Sequence, residues 1–223
     1  HGSAAPLNAA MVRLLGQQLP YHFYDLNAKV DFRLSENDEL EFGHYSGDDV
    51  LNFIPGSSTS NRLQNTTSNF TIGNSTQTLR WNRRFSPAWS SSMLMYRSKF
   101  HYTIDNRFED SKLYTSSDIE DLGGKWMIST DSLKRLSFSA GVDLVRHQVS
   151  PNVITTSGEI SDLLKSTSTS AQRAWEGSLF SQVDGNWLTR WRWSAGLRVS
   201  SAWVGNKQYI NPEPRLSVRF AVD

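Results

Sequence analysis

From Tyr24 onward the side chains alternate between apolar and polar with a period of two, and few folds can accommodate that pattern repeated at such length. Tyr24, Leu26, Ala28, Val30, Phe32 and Leu34 share one face of an extended chain, with Asp25, Asn27, Lys29, Asp31 and Arg33 on the other. The pattern returns at Leu136–Leu144, where Leu136, Phe138, Ala140, Val142 and Leu144 oppose Arg135, Ser137, Ser139, Gly141 and Asp143. It returns again with Trp191, Trp193, Ala195, Leu197 and Val199 against Arg190, Arg192, Ser194, Gly196 and Arg198. The last run sets Leu216, Val218, Phe220 and Val222 against Arg215, Ser217, Arg219 and Ala221. Weaker alternation at 38–47, 74–84, 88–102, 117–129 and 174–187 brings the expectation to about nine strands.

Strand length separates two all-β classes. Strands of soluble domains run about five or six residues, whereas crossing a bilayer at a tilt takes about 9–11. These runs are long enough to cross. No segment offers the ~20 consecutive apolar residues of a spanning helix, and a negative mean hydropathy with 38% hydrophobic residues suits strands that show lipid only every second position.

The links between runs point the same way. Short links are expected at Ser35-Glu36-Asn37, Ser86-Pro87, Thr130–Lys134 and Leu188-Thr189, and long loops at roughly 48–73, 103–116, 149–173 and 204–211. This rhythm is that of an up-and-down barrel with tight periplasmic turns and longer extracellular loops. Aromatic residues flank the proposed membrane: Phe32, Phe85, Trp89, Trp187 and Trp191 on the periplasmic side, Tyr24, Tyr102, Trp175 and Trp203 on the other. The segments Asn52–Thr78 and Ser150–Gln172, rich in Ser, Thr and Asn, are too polar to fold alone and are expected to cover the barrel mouth or to move.

Net charge of +1 excludes a polyanion-binding protein, so nucleic acid is not an expected partner. No cysteine is present, which removes disulfides and thiolate metal sites. His22, His44, His101 and His147 show no ligand spacing, so neither a metal nor a cofactor is expected. Acidic pairs at Asp48-Asp49, Glu109-Asp110 and Glu120-Asp121 read as solvated loops ahead of calcium sites. The residues give no arrangement that asks for catalysis, and the chain is read as a non-enzyme.

The chain resembles the TonB-dependent outer-membrane receptors of Bacteroidetes-type bacteria at Pro20–Lys29, at Leu34–Leu40 followed by Gly43–Asp49, at Ser178–Asp184 leading to Trp187, and at Ser194–Arg198 followed by Pro212–Ser217. The resemblance implies import of a nutrient such as a siderophore, glycan or peptide through a barrel of some twenty-two strands around an N-terminal plug. It implies as partners the outer-membrane lipid, the plug and remaining strands, the TonB complex acting through the plug, and a surface lipoprotein lid. No plug and no TonB box are visible, so the expected organisation is a linker scar at 1–3, a short helix or loop at 4–19, and a partial transmembrane barrel at 20–223. A small self-closing porin or adhesin-like barrel is the alternative.

Two sets of candidate residues follow. Asp25, Lys29, Asp31, Arg33, Asp143, Arg198, Arg215 and Arg219 are expected to face the lumen, with Arg190, Arg192 and Asp184 among them. Tyr102, Asp105, Arg107, His147 and Tyr209, placed toward the outer loops, are the expected substrate contacts.

Overall fold

The computed structural model describes residues 21–53, 66–133, 136–187 and 190–221. The expected linker scar at 1–3, the expected short helix or loop at 4–19 and the turn at Leu188-Thr189 lie outside these residues. The nine described strands are β1 (Tyr21–Arg33), β2 (Asp38–Phe53), β3 (Thr66–Arg84), β4 (Trp89–Phe108), β5 (Ser111–Leu133), β6 (Leu136–Ser157), β7 (Gln172–Trp187), β8 (Trp191–Val204) and β9 (Lys207–Phe220). Among the described residues a short helix, α1 (Ile160–Leu163), sits between β6 and β7. The strands form one antiparallel sheet in chain order from β1 to β9, each hydrogen-bonded to its sequence neighbour. This is the up-and-down topology that the alternating runs predict.

Antiparallel partners share a face, so the register carries the two-residue period across the whole sheet. One row runs Phe32, Leu40, Trp81, Met93, Trp126, Val142, Leu179, Val199 and Pro212. Its opposite-face neighbour runs Asp31, Glu41, Arg80, Leu94, Lys125, Asp143, Ser178, Ser200 and Asn211. Over these rows one face of the sheet is thus apolar and the other polar and charged. Large apolar side chains stand in the open on the first, Leu216 at 77% and Leu179 at 63% exposure, which is what a soluble sheet buries and a lipid-facing one does not.

We call near the end where β1 meets β2, β3 meets β4, β5 meets β6 and β7 meets β8. Its tight turns are visible at Leu34–Asn37, closed by Leu34 N–H donating to the Asp38 carbonyl at 2.9 Å, and at Phe85–Ala88, closed by Phe85 N–H to the Trp89 carbonyl at 2.9 Å. Trp81 and Trp126 solve the problem of a polar indole N–H on an apolar face by donating sideways, to Asp38 at 3.1 Å and to Ser91 at 2.8 Å.

The far end departs from expectation. Two of the four long loops are two-residue turns instead: Glu109-Asp110 between β4 and β5, and Gly205-Asn206 between β8 and β9. Glu109 takes φ 49 and Gly205 φ 58, the positive values that a hairpin turn demands. Residues 103–108, 111–116 and 66–73 are strand, so the Ser/Thr/Asn composition read as loop is a continuation of the sheet. Such residues lack an apolar face, but a backbone ladder needs none where both faces meet water.

The segment 158–171 is also better tied down than its composition suggests. Beyond Val149, β6 has no strand partner on its β7 side. The returning chain fills that edge: Ile154 and Thr167 exchange backbone hydrogen bonds at 2.9 and 2.8 Å, Thr156 N–H donates to Ser166 Oγ at 3.0 Å, and the Thr156 hydroxyl donates to the Leu164 carbonyl at 2.7 Å. Edge strands without cover attract other chains; here a loop supplies the cover.

Glycines opposite rings are a second source of cohesion. Gly123 on β5 pairs with Tyr96 on β4, and a β-carbon at Gly123 would lie 2.5 Å from the Tyr96 hydroxyl oxygen, inside van der Waals contact. The ring therefore lies across the backbone of its partner strand, and Gly141 on β6 makes the same room for Phe180 on β7. Replacing Gly123 by Val forces the ring off this seat; we expect a loss of about 1–3 kcal/mol, read as a lower urea midpoint for the full-length protein unfolding in detergent micelles.

Candidate functional site

The substrate contacts expected from sequence do not gather in one place. Tyr102 on β4, His147 on β6 and Tyr209 on β9 lie on the charged face. Asp105 and Arg107 on β4 lie on the opposite one, the first opposite Asn69 and Tyr114, the second opposite Thr67 and Lys112. Parity is the cause: residues three apart on a strand, such as Tyr102 and Asp105, point in opposite directions. Arg107 and Lys112 both reach the Asp105 carboxylate, each at 3.3 Å. The same parity takes Tyr102 out of the outer aromatic girdle, leaving Tyr24, Trp175 and Trp203 on the apolar face.

His147 lies between carboxylates of the two strands that flank its own. Its Nδ1 is 2.8 Å from Asp121 on β5 and its Nε2 3.6 Å from Glu176 on β7. Tyr96 and Tyr209 occupy the same row of the sheet as Glu176, adjoining that of His147. Asp121 and Glu176 are absent from the sequence expectation, because only the register of three strands reveals that they flank His147. The carboxylates stand at opposite ring nitrogens, so the imidazole separates them and does not converge with them on a common ion. Among the described residues no group of three His, Asp or Glu is placed to hold a metal. The acidic pairs Asp48-Asp49 and Glu120-Asp121 lie within strands, where neighbours face opposite ways.

The residues expected to line the lumen do share a face. Lys29 reaches Asp31 at 3.5 Å and Glu41 at 3.0 Å. Arg198 on β8 lies 3.7 Å from Asp143 on β6 and donates through Nε to Ser200 at 3.2 Å. The Ser200 hydroxyl donates to Glu213 at 2.9 Å, and Arg215 reaches the same carboxylate at 3.0 Å. Lys125 sits over the Phe180 ring, 5.1 Å from its centroid. Arg33 is in a near-end cleft with Glu36, Glu39 and Arg84, and Arg219 in another with Asp184 and Arg192. Asp25 stands opposite Gly47 on this face. Arg198, Arg215 and Lys29 are thus already neutralised by neighbours within the wall. The arrangement keeps a surface wet and charged without leaving a strong local excess of either sign.

No family model matches the sequence, and no curated protein matches it. Solved structures do share the fold. The copper transporter OprC superposes with a TM-score of 0.63 at 14% identity, covering 91% of this chain and 34% of OprC. FpvA of P. aeruginosa, solved as a complex with pyoverdine and iron, superposes with a TM-score of 0.60 at 11% identity over 91% of this chain and 34% of FpvA. The chain spans about a third of the length of each. At these identities the likeness establishes the fold alone: one sheet of antiparallel strands in up-and-down order.

Neighbouring residues on β8 test which face meets lipid. Leu197→Arg sets a charge on the apolar face and is expected to cost about 2–4 kcal/mol if buried near the bilayer midplane. Arg198→Leu removes one half-buried ion pair and the bond to Ser200 and is expected to cost about 1 kcal/mol. Equilibrium unfolding of the full-length protein in lipid vesicles separates the two.

Proposed function

We propose that this chain forms part of the wall of a TonB-dependent outer-membrane receptor importing a nutrient such as a siderophore, glycan or peptide. The observation that carries the reading is the single nine-stranded sheet, apolar on one face and charged on the other, that superposes on barrels of copper and pyoverdine receptors. The segments at 20–49 and 194–217 support the Bacteroidetes-type branch of that family. In this reading the apolar face meets outer-membrane lipid, and the face bearing Asp25, Lys29, Asp31, Arg33, Asp143, Arg198, Arg215 and Arg219 lines the lumen. A plug domain docks there and links the receptor to the TonB complex; a surface lipoprotein lid over the mouth completes the expected set of partners.

Tyr102, His147 and Tyr209 remain the proposed solute contacts from within the barrel. Asp105 and Arg107 face outward and would meet a solute or lid only above the membrane. The reading of a self-closing porin draws less support. Closing these nine strands would bring β1 and β9 side by side as parallel neighbours, and in the sheet they lie at opposite edges.

Energy dependence separates the readings. Cells carrying the full-length protein should accumulate a labelled candidate solute, and a protonophore or loss of TonB should abolish uptake. Uptake that persists under both conditions would establish a passive pore. Within an importing protein, His147→Ala is expected to weaken uptake while Asp105→Ala leaves it near wild type, as measured by initial rates at limiting solute.

A further inference from the structure

The apolar face is not equally tall around the sheet. On β8 it extends from Trp191 to Trp203. On β2, β3 and β4 its unbroken part shrinks to two rows, formed by Leu40 and Phe42, Trp81 and Leu79, Met93 and Met95, with Phe85 and Trp89 set apart at the near-end turn. The next row toward the near end on that face holds Asp38, Arg83 and Ser91, with Arg83 ion-paired to Asp38 at 3.5 Å. The next toward the far end holds His44, Gln77 and Arg97. Asp38 and His44 are six residues apart, about 20 Å of strand and less once the strand is tilted. The lipid-facing band of an outer-membrane barrel is about 25 Å tall.

The upper row and the residues above it behave as a hydrated surface. Gln77 Nε2 lies 3.4 Å from His44 Nδ1, His44 Nε2 lies 3.3 Å from Ser46 Oγ, and Arg97 donates to both oxygens of Glu120 at 3.0 and 3.2 Å. Charge there is unbalanced toward the positive. In the three rows from Arg97 to His101, on the same side of β4–β7, Arg97, Lys99, Arg146 and Arg173 face two carboxylates, Glu120 and Asp118. Arg146 lies between Leu122 and Trp175 in the row of Arg97, and its Nε is shielded from solvent with no partner. A guanidinium beside a Trp at the edge of an apolar band is suited to an anionic, phosphate-bearing headgroup.

We propose that the bilayer is locally thinned against β2–β4, and that the headgroup layer of the outer leaflet descends onto His44, Gln77 and Arg97, with lipid phosphate also meeting Arg146. The inference rests on the outer-membrane reading above. A short apolar wall leaves polar side chains at a depth that acyl chains would otherwise occupy, and moving headgroups costs less than burying those side chains in hydrocarbon.

This chain has no cysteine of its own, and the test uses the full-length protein with the introduced cysteine as its sole thiol. Gln77 lies eight residues before Phe85, at its near-end turn, and Val199 eight residues after Trp191, at its own. Single nitroxide labels at Gln77→Cys and Val199→Cys in the full-length protein, in vesicles of phosphatidylethanolamine and phosphatidylglycerol, report collisions with oxygen and with a water-soluble nickel chelate. The Val199 label should collide with oxygen and be shielded from nickel. The Gln77 label, and Ser46→Cys as a second reporter, should show the reverse preference. A Gln77 label matching the Val199 label would overturn thinning while leaving the membrane reading intact. Shielding of Gln77 and Ser46 from both reagents would overturn it in favour of a protein partner. A Val199 label open to nickel would remove the membrane reading itself.

Discussion

Everything in this sheet depends on one constraint: a strand's backbone donors and acceptors must find partners on both sides. Within hydrocarbon there is no water to substitute, so the ladder has to be continuous wherever lipid touches the wall. The chain meets the demand with nine described strands in sequence order, each paired with the next, and with a returning loop where β6 outruns β7. Once the ladder is fixed, so is direction. Because partners share a face, a choice of Leu at 197 and Arg at 198 on β8 is also a statement about Ser181 and Phe180 on β7 and Pro214 and Glu213 on β9. Side-chain chemistry then sorts itself by parity, with ion pairs such as Arg198 with Asp143 on one face and bare Leu and Trp on the other.

The strongest runs of alternation announced β1 almost to its ends and the near-end parts of β6, β8 and β9, since a face that must be uniformly apolar writes itself into the sequence. Where the requirement lapses, so does the signal. The outer halves of β3 to β6 carry Thr, Ser, Asn and charge on both faces, and composition makes these indistinguishable from coil. The ladder continues through them because neighbouring strands are present to pair with, which is a fact about the sheet and not about any one segment. The turns at Glu109-Asp110 and Gly205-Asn206 were hidden for the same reason.

Candidate residues divided along similar lines. The charged stripe was legible because parity alone assigns it. The five far-end residues were chosen by position along the chain, and Tyr102 and Asp105 part company through an odd spacing. The surroundings of His147 needed knowledge of three strands at once: Asp121 is 26 positions away and Glu176 29, and only the register brings all three together. Reading such a group from sequence would require the pairing of β5 with β6 and of β6 with β7 in advance.

Unequal strand length also shapes the rim. β8 and β9 are 14 residues each and end at a two-residue turn, whereas β5 and β6 are 23 and 22, with a backed, hydrogen-bonded return beyond them. The parapet is therefore stepped, high along one arc and low along the next. The low sill at β8–β9 and the raised back at β5–β6 give this part of the rim two heights before any individual side chain is considered.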